Sequence, residues 1–146
     1  MFSNIIVATD GSEDSLKAAR MAGRMAKDLG ARVTLVHVTT PVSPTVGIPG
    51  LGVATIDLTS VEEHYWDVAQ AILDLTERAF VEEAGAAPER MVLTGRPSTA
   101  ICNYAGEKGA DLVVVGSAGS GVEELFMGST ADNVCHQAPC PVLVVR

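Results

Sequence analysis

The stretch "VVVGSAGSGVEELFMGST", Val113 to Thr130, leaves an apolar run and enters a segment with glycine at 116, 119, 121 and 128. Hydroxyls stand at Ser117, Ser120, Ser129 and Thr130. Glycine admits positive φ and close approach of the backbone to a ligand. Gly128-Ser129-Thr130 reads as a helix start, where the first N–H groups lack intrahelical partners and carry partial positive charge. Such an end receives anions, and the four hydroxyls could add donors. A second segment, Asp10-Gly11-Ser12, follows another apolar run. Asp10 there could accept hydrogen bonds from a ribose or an adenine, or hold a metal through water. The plainer readings stand beside these. Asp10-Gly11-Ser12 is also an ordinary turn with Ser12 as the helix cap, and Gly128-Ser129 can simply begin a helix.

The spacing excludes the common phosphate fingerprints. A P-loop needs GxxxxGK[ST] after a strand, and no Gly-Lys pair occurs here. A dinucleotide fingerprint normally follows the first strand, where only Gly11 stands. No Lys, Arg or His lies between Val113 and Thr130, whereas Glu123 and Glu124 do. Phosphoryl transfer needs charge neutralisation and a group that orients the nucleophile, which argues against efficient catalysis. Cys102, Cys135 and Cys140 form no CxxC pair and no matching zinc set, and a metal site at Cys135, His136 and Cys140 is the minor alternative. Packed thiols in a reducing compartment are expected. His37 reads as a packed, hydrogen-bonded strand residue, Met21 and Met25 as core, and His64 and Trp66 as surface or partner-facing.

Alternating elements must hold these residues. Asn4 to Thr9 and Arg32 to Val38 are short β-branched runs, read as buried strands. Ser12 caps the helix between them, and Gly30 ends it. Thr39 to Asp57, rich in Pro and Gly, is expected to be one long connection. A helix follows from about Val61 to Ala84, capped by Ser60. Then come a strand at Arg90 to Thr94, a helix at Pro97 to Lys108 and a strand at Asp111 to Val115. A helix at Gly128 to Gln137 and a strand at Pro141 to Val145 close the chain. Continuous apolar strands alternating with helices predict an α/β fold, an open doubly wound five-stranded parallel sheet covered on both faces. In the order 3-2-1-4-5 the winding reverses between strands one and four. The loops Ala8 to Ser12 and Gly116 to Thr130 meet at that switch point.

Composition sets the remaining bounds. The 146 residues are expected to form one domain, 1–146, with 47% hydrophobic and 4% aromatic residues. The net charge of −8 opposes a nucleic-acid partner and long-range capture of anions. The start "MFSNIIVATDGS" lacks the pattern of a signal peptide, and no run approaches the roughly 18 residues that span a bilayer. A soluble, cytoplasmic protein without membrane partners is expected.

At this point the chain resembles the universal stress proteins. The family pattern is Gly, two residues, Gly, nine residues, then Gly-Ser/Thr, and here it falls on Gly116, Gly119, Gly128 and Ser129. "NIIVATDGSEDSLKAA" resembles the opening strand, with Asp10 at the nucleotide-contacting aspartate. "GARVTLVHV" resembles the second strand, with Val38 where the backbone meets adenine. "GRPSTAICNYAGEKGADLVVVGS" and "GSTADNVCHQAPCPVLVVR" are similar to the carboxyl-terminal units. The resemblance implies an adenine nucleotide, ATP or AMP with Mg²⁺ as a candidate companion, at Ala8, Thr9, Asp10, Val38, Val115, Gly116, Ser117, Gly119, Gly128, Ser129 and Thr130. It also implies a stress-response regulator that forms a homodimer through the last strand, "CPVLVV", and acts on a further protein partner. There are departures. Eight residues, not nine, separate Gly119 from Gly128, Ala118 stands where relatives often carry Arg or His, and Arg96 is the nearest candidate cation. The alternatives are a ligand-free interaction dimer and a slow ATP hydrolase.

Overall fold

A computed structural model describes residues 1–118 and 127–146. Along the chain the elements are β1 (Asn4–Ala8), α1 (Glu13–Leu29), β2 (Arg32–Thr39), β3 (Thr45–Ile48), β4 (Gly52–Thr55), α2 (Thr59–Ala84), β5 (Glu89–Thr94), α3 (Pro97–Lys108), β6 (Leu112–Gly116), α4 (Ser129–Gln137) and β7 (Val142–Val145). Five of the strands form a parallel sheet in the order β5-β2-β1-β6-β7. Counted among those five alone, this is the expected 3-2-1-4-5. Among the described residues no helix is long and apolar enough to cross a membrane.

The strand residues sort by period two into two cores. Ile5, Val7, Val33, Leu35, Leu112 and Val114 face α1 and α2, together with Leu73 and Phe80. Ile6, Val36, Val113 and Val115 face α3 and α4, together with Ile101, Ala105 and Val134. A strand apolar on both faces has to be sandwiched by helices, and β1 and β6 at the centre are.

Helix α1 begins at Ser12, whose Oγ accepts the Ser15 N–H at 3.3 Å, and ends at Gly30 with φ 66°. Its buried side is narrower than the hydrophobic spacing suggests. Ser15, Ala18, Ala19, Ala22 and Gly23 are buried, whereas Met21 is exposed and Met25 only half-buried. The expectation of two core methionines is therefore corrected for Met21, while Met25, like Leu16, packs against the margin of the core. α1 lies so close to α2 and β6 that small residues fill the centre of the interface.

A second correction falls on the segment expected to be one long connection. β3 and β4 pair there as an antiparallel hairpin. Its turn is Ile48-Pro49-Gly50-Leu51, closed by Leu51 N–H to Ile48 C=O at 3.0 Å, with Gly50 at φ 80°. Proline followed by a positive-φ glycine is the signature of a type II turn. Val46, Ile48, Leu51 and Val53 on this hairpin are all exposed.

The amino-terminal strand is pinned by Asp111. Its Oδ2 accepts the Ser3 N–H at 2.9 Å and the Ser3 hydroxyl at 3.0 Å, and Oδ1 accepts the Asn4 N–H at 3.0 Å. Donation from the Ser3 amide, more than any other contact, holds this carboxyl below the usual aspartate range. A depressed carboxyl contributes stability that is complete above its unfolded value, about 3.9, and vanishes as pH falls through the lower folded value. Asp111→Asn is therefore expected to cost about 1–2 kcal/mol at pH 7. In urea titrations its deficit against wild type should narrow steadily below about pH 4. A deficit independent of pH would contradict the pinning charge.

Candidate functional site

A cavity of about 270 Å³ opens at the carboxyl ends of β1 and β6, where the sheet reverses its winding. Ala8, Thr9, Asp10, Val38, Val115, Gly116, Ser117, Gly128, Ser129 and Thr130 all line it. Gly119, the remaining residue of the predicted set, lies outside the described residues, as do Ser120, Glu123 and Glu124. Val36, Ile101 and Ala131 supply apolar wall, and Pro97, rather than Arg96, represents the third connection. Among the described lining residues there is no Lys or Arg.

The backbone of Val38 is exposed to the cavity by register. β1 pairs with β2 as far as Ala8 opposite Val36, and the Thr9 N–H then reaches Val36 C=O at 2.9 Å. Two residues further along β2, Val38 presents its peptide groups on the same side, where β1 has ended. Its neighbour His37 places Nδ1 2.8 Å from the Thr9 carbonyl. The expected packed, hydrogen-bonded His37 is thus half-buried and also part of the cavity wall.

The floor beside Asp10 is a web of hydroxyls. Thr9 Oγ1 lies 2.8 Å from Thr76 Oγ1 and 3.1 Å from Ser15 Oγ. Thr76 donates to the Ile72 carbonyl and Ser15 to the Ser12 carbonyl, each at 2.8 Å. That leaves the single Thr9 proton to serve one of its two neighbours, while Thr9 Oγ1 accepts the Gly11 N–H at 3.2 Å. The outcome is a fixed Asp10 loop, in which Asp10 Oδ1 also accepts the Ser12 N–H at 2.9 Å. Sequence reading missed Thr76 and Ser15. Thr76 had a signal, because it shares the buried stripe of Ala69, Leu73 and Phe80, where a hydroxyl needs a partner. Thr76→Val keeps the shape and removes that partner. It should cost about 1 kcal/mol in thermal unfolding. An unchanged melting temperature would show that the web carries no net stability.

The elements expected to meet an anion sort themselves differently from the sequence expectation. Ser117 is not a donor to the cavity. Its hydroxyl donates to Asp14 Oδ2 at 2.6 Å and its N–H to the Val145 carbonyl at 2.7 Å. The Ala118 N–H also points to Asp14 Oδ2, at 3.3 Å. Donation from Ser117 is the largest influence on Asp14, and with Ala118 and Lys17 it outweighs partial burial and holds this carboxyl below its ordinary range. Nor is Gly116 a positive-φ residue. It is glycine because a Cβ there would stand 2.7 Å from both the Asp14 carbonyl carbon and the Ser15 nitrogen. The helix start at α4 does fit the expectation. Gly128 is the cap, it offers no side-chain acceptor, and its own N–H goes to the Ser117 carbonyl at 2.6 Å. The amides of Ser129, Thr130 and Ala131 are the first three of the helix, and all three residues line the cavity. This end can receive an anion, and the Val38 edge and apolar wall can receive a flat heterocycle.

Comparison with known proteins agrees with this arrangement. The model of the universal stress protein family matches residues 1–146. A universal stress protein of Methanocaldococcus jannaschii is 35% identical, with all of this chain and 83% of the relative covered. The universal stress protein YxiE of Bacillus subtilis is 36% identical over the full length of both. Among solved structures, a universal stress protein in complex with cAMP superposes with a TM-score of 0.75 at 25% identity, covering 99% of this chain and 97% of the other. A sheet of order 3-2-1-4-5, a glycine-started helix at its switch point and a full-length family match lead to one conclusion: the chain belongs to the universal stress protein family.

Proposed function

We propose that this protein binds an adenine nucleotide, with AMP or ATP as the candidates, and works as a single-domain stress-response regulator rather than as an efficient enzyme. The carrying observation is the start of α4. The first three residues of the helix, whose amides lack intrahelical partners, line the cavity behind a glycine cap, as does Val38. The phosphate would sit at Ser129 and Thr130, the ribose between Asp10 and Gly128, and adenine between the ends of β1 and β2. Val115 and Ala8 would form the base of the site, and Gly119 would belong to its rim. The related structure in complex with cAMP, an adenine nucleotide, supports this reading. Mg²⁺ would accompany ATP at Asp10 through water.

Mass spectrometry of small molecules released by denaturing the purified protein tests the reading first, followed by calorimetry with AMP, ADP, ATP and cAMP. Stoichiometric adenylate, or one-to-one uptake, is expected. Neither heat nor a thermal shift from any of the four would remove it.

We further place a second copy of the chain against β7. It is the last strand of the sheet, paired only with β6, and its Val142, Leu143 and Val144 remain half-buried rather than covered. Such an edge pairs readily with another. A cytoplasmic dimer that signals to a protein partner through nucleotide occupancy is the resulting picture. A monomeric mass independent of concentration in sedimentation would refute the dimer.

A further inference from the structure

We propose that Asp14 is a specificity-determining positioning residue, which fastens the start of the glycine segment and biases the site toward adenine nucleotides of low charge and against polyphosphates. The inference rests on the nucleotide reading above and concerns the phosphate number that reading leaves open. Asp14 lies in the first turn of α1, not in the cavity wall, and acts through Ser117.

The geometry forms a short chain of contacts. Asp14 Oδ2 takes the Ser117 hydroxyl at 2.6 Å and the Ala118 N–H at 3.3 Å. The Ser117 carbonyl takes the Gly128 N–H at 2.6 Å. Gly128 caps the helix whose first three residues line the cavity. One residue, Ser117, therefore connects a fixed carboxylate to the cap of the proposed phosphate cradle. Two consequences follow. The donors of Ser117 and Ala118 are committed to a protein anion, so among the described residues the α4 amides are left as the cradle. A full negative charge also stands two hydrogen bonds from the cap of α4, the end at which the phosphate would sit.

Nothing described in the wall offsets that charge. Lys17 Nζ is 3.6 Å from Asp14 Oδ1, but it also pairs with Glu13 at 3.4 Å and lies outside the cavity. The net charge of −8 acts in the same direction. Repulsion over less than a Debye length, about 8 Å at physiological salt, is only partly screened. It also grows with each phosphate added, so ATP feels it more than AMP.

Calorimetry with AMP and ATP on wild type, Asp14→Asn and Asp14→Ala separates the two consequences. Asparagine keeps an acceptor for Ser117 and drops the charge. Its ratio of ATP to AMP dissociation constants should fall about five- to tenfold, and that shift should shrink at about 0.5 M salt. Alanine drops both the acceptor and the charge. It should weaken both ligands while moving the ratio the same way. Ser117→Ala, which keeps the charge and loses the fastening, should weaken both ligands with the ratio unmoved. Circular dichroism verifies that each variant is folded. A folded Asp14→Asn or Asp14→Ala protein with the wild-type ratio overturns the inference and leaves nucleotide binding intact. A wild type that binds neither ligand overturns both.

Discussion

Gly116→Ala is expected to lower stability by about 2–3 kcal/mol and, in the protein that still folds, to weaken nucleotide binding at least tenfold. The cause is a collision with backbone, which no rotamer change relieves. The added methyl would meet the Asp14 carbonyl carbon and the Ser15 nitrogen at 2.7 Å and the Asp14 Cβ at 3.0 Å. Either β6 or the first turn of α1 must move. β6 is held on both sides, by β1 and by β7, and Gly116 itself is opposite Val145. The turn of α1 is the part that should yield. It carries Asp14 and Ser15, which fasten Ser117 and the Thr9 web respectively. A shift there alters both walls of the cavity at once. For a chain of this size the stability loss corresponds to roughly 6–10 °C in melting temperature. A melting temperature and nucleotide affinity equal to wild type would show that this contact is looser than the structure has it.

Gly23→Val should cost a similar or larger amount, about 3 kcal/mol, and leave the ligand affinity of the folded fraction unchanged. A Cβ on Gly23 would approach the Phe80 carbonyl oxygen to 2.6 Å and the Glu83 Cβ to 3.1 Å. Here α1 and α2 cross so closely that one helix backbone rests on the other. The rim of the crossing is closed by Arg24, whose guanidinium reaches both oxygens of Glu83 at 2.9 and 3.0 Å. Forcing the helices apart breaks that pairing and exposes Phe80 and Ala79 of the core. The cavity lies mainly on the other face of the sheet and meets α1 at Ser12 and Ser15, about two turns from Gly23, so this strain reaches it far less than the strain at Gly116. Urea unfolding and calorimetry on the same sample make the contrast with Gly116→Ala. A variant at Gly23 that lost affinity in step with stability would mean that the two faces are not independent.

These two glycines also show what could be read from the chain and what could not. The alternation of apolar runs and helical stretches was sufficient for the sheet and its winding, because burial on both faces leaves a strand with few other sequences. The meeting of Asp10 and Gly128 followed from the switch point, and Val38 from the family resemblance. The partners of the polar atoms did not follow. Ser117 looked like a phosphate donor because its true acceptor, Asp14, is 103 residues away. Met21 looked like core because spacing gives a helix its stripe but not the distance to its neighbour. The hairpin after β2 was hidden by its own composition. Gly47, Gly50, Gly52 and Pro49 argue for a loop one residue at a time, and only the Pro-Gly pair, read as a type II turn, carries the opposite message.

The central position of β1 has a consequence in time. β1 and its loop are made before one of β1's two sheet neighbours, β6, and before α4, which come from residues 112 and beyond. While the chain is being synthesised, Ile5, Ile6 and Val7 wait for a partner that is still inside the ribosome, for several seconds at ordinary rates. The cavity comes into being only after that wait. Nucleotide added during synthesis therefore lacks the α4 side of its proposed site until residues 129–131 have emerged, and its occupancy would mark molecules in which β1 and β6 have met.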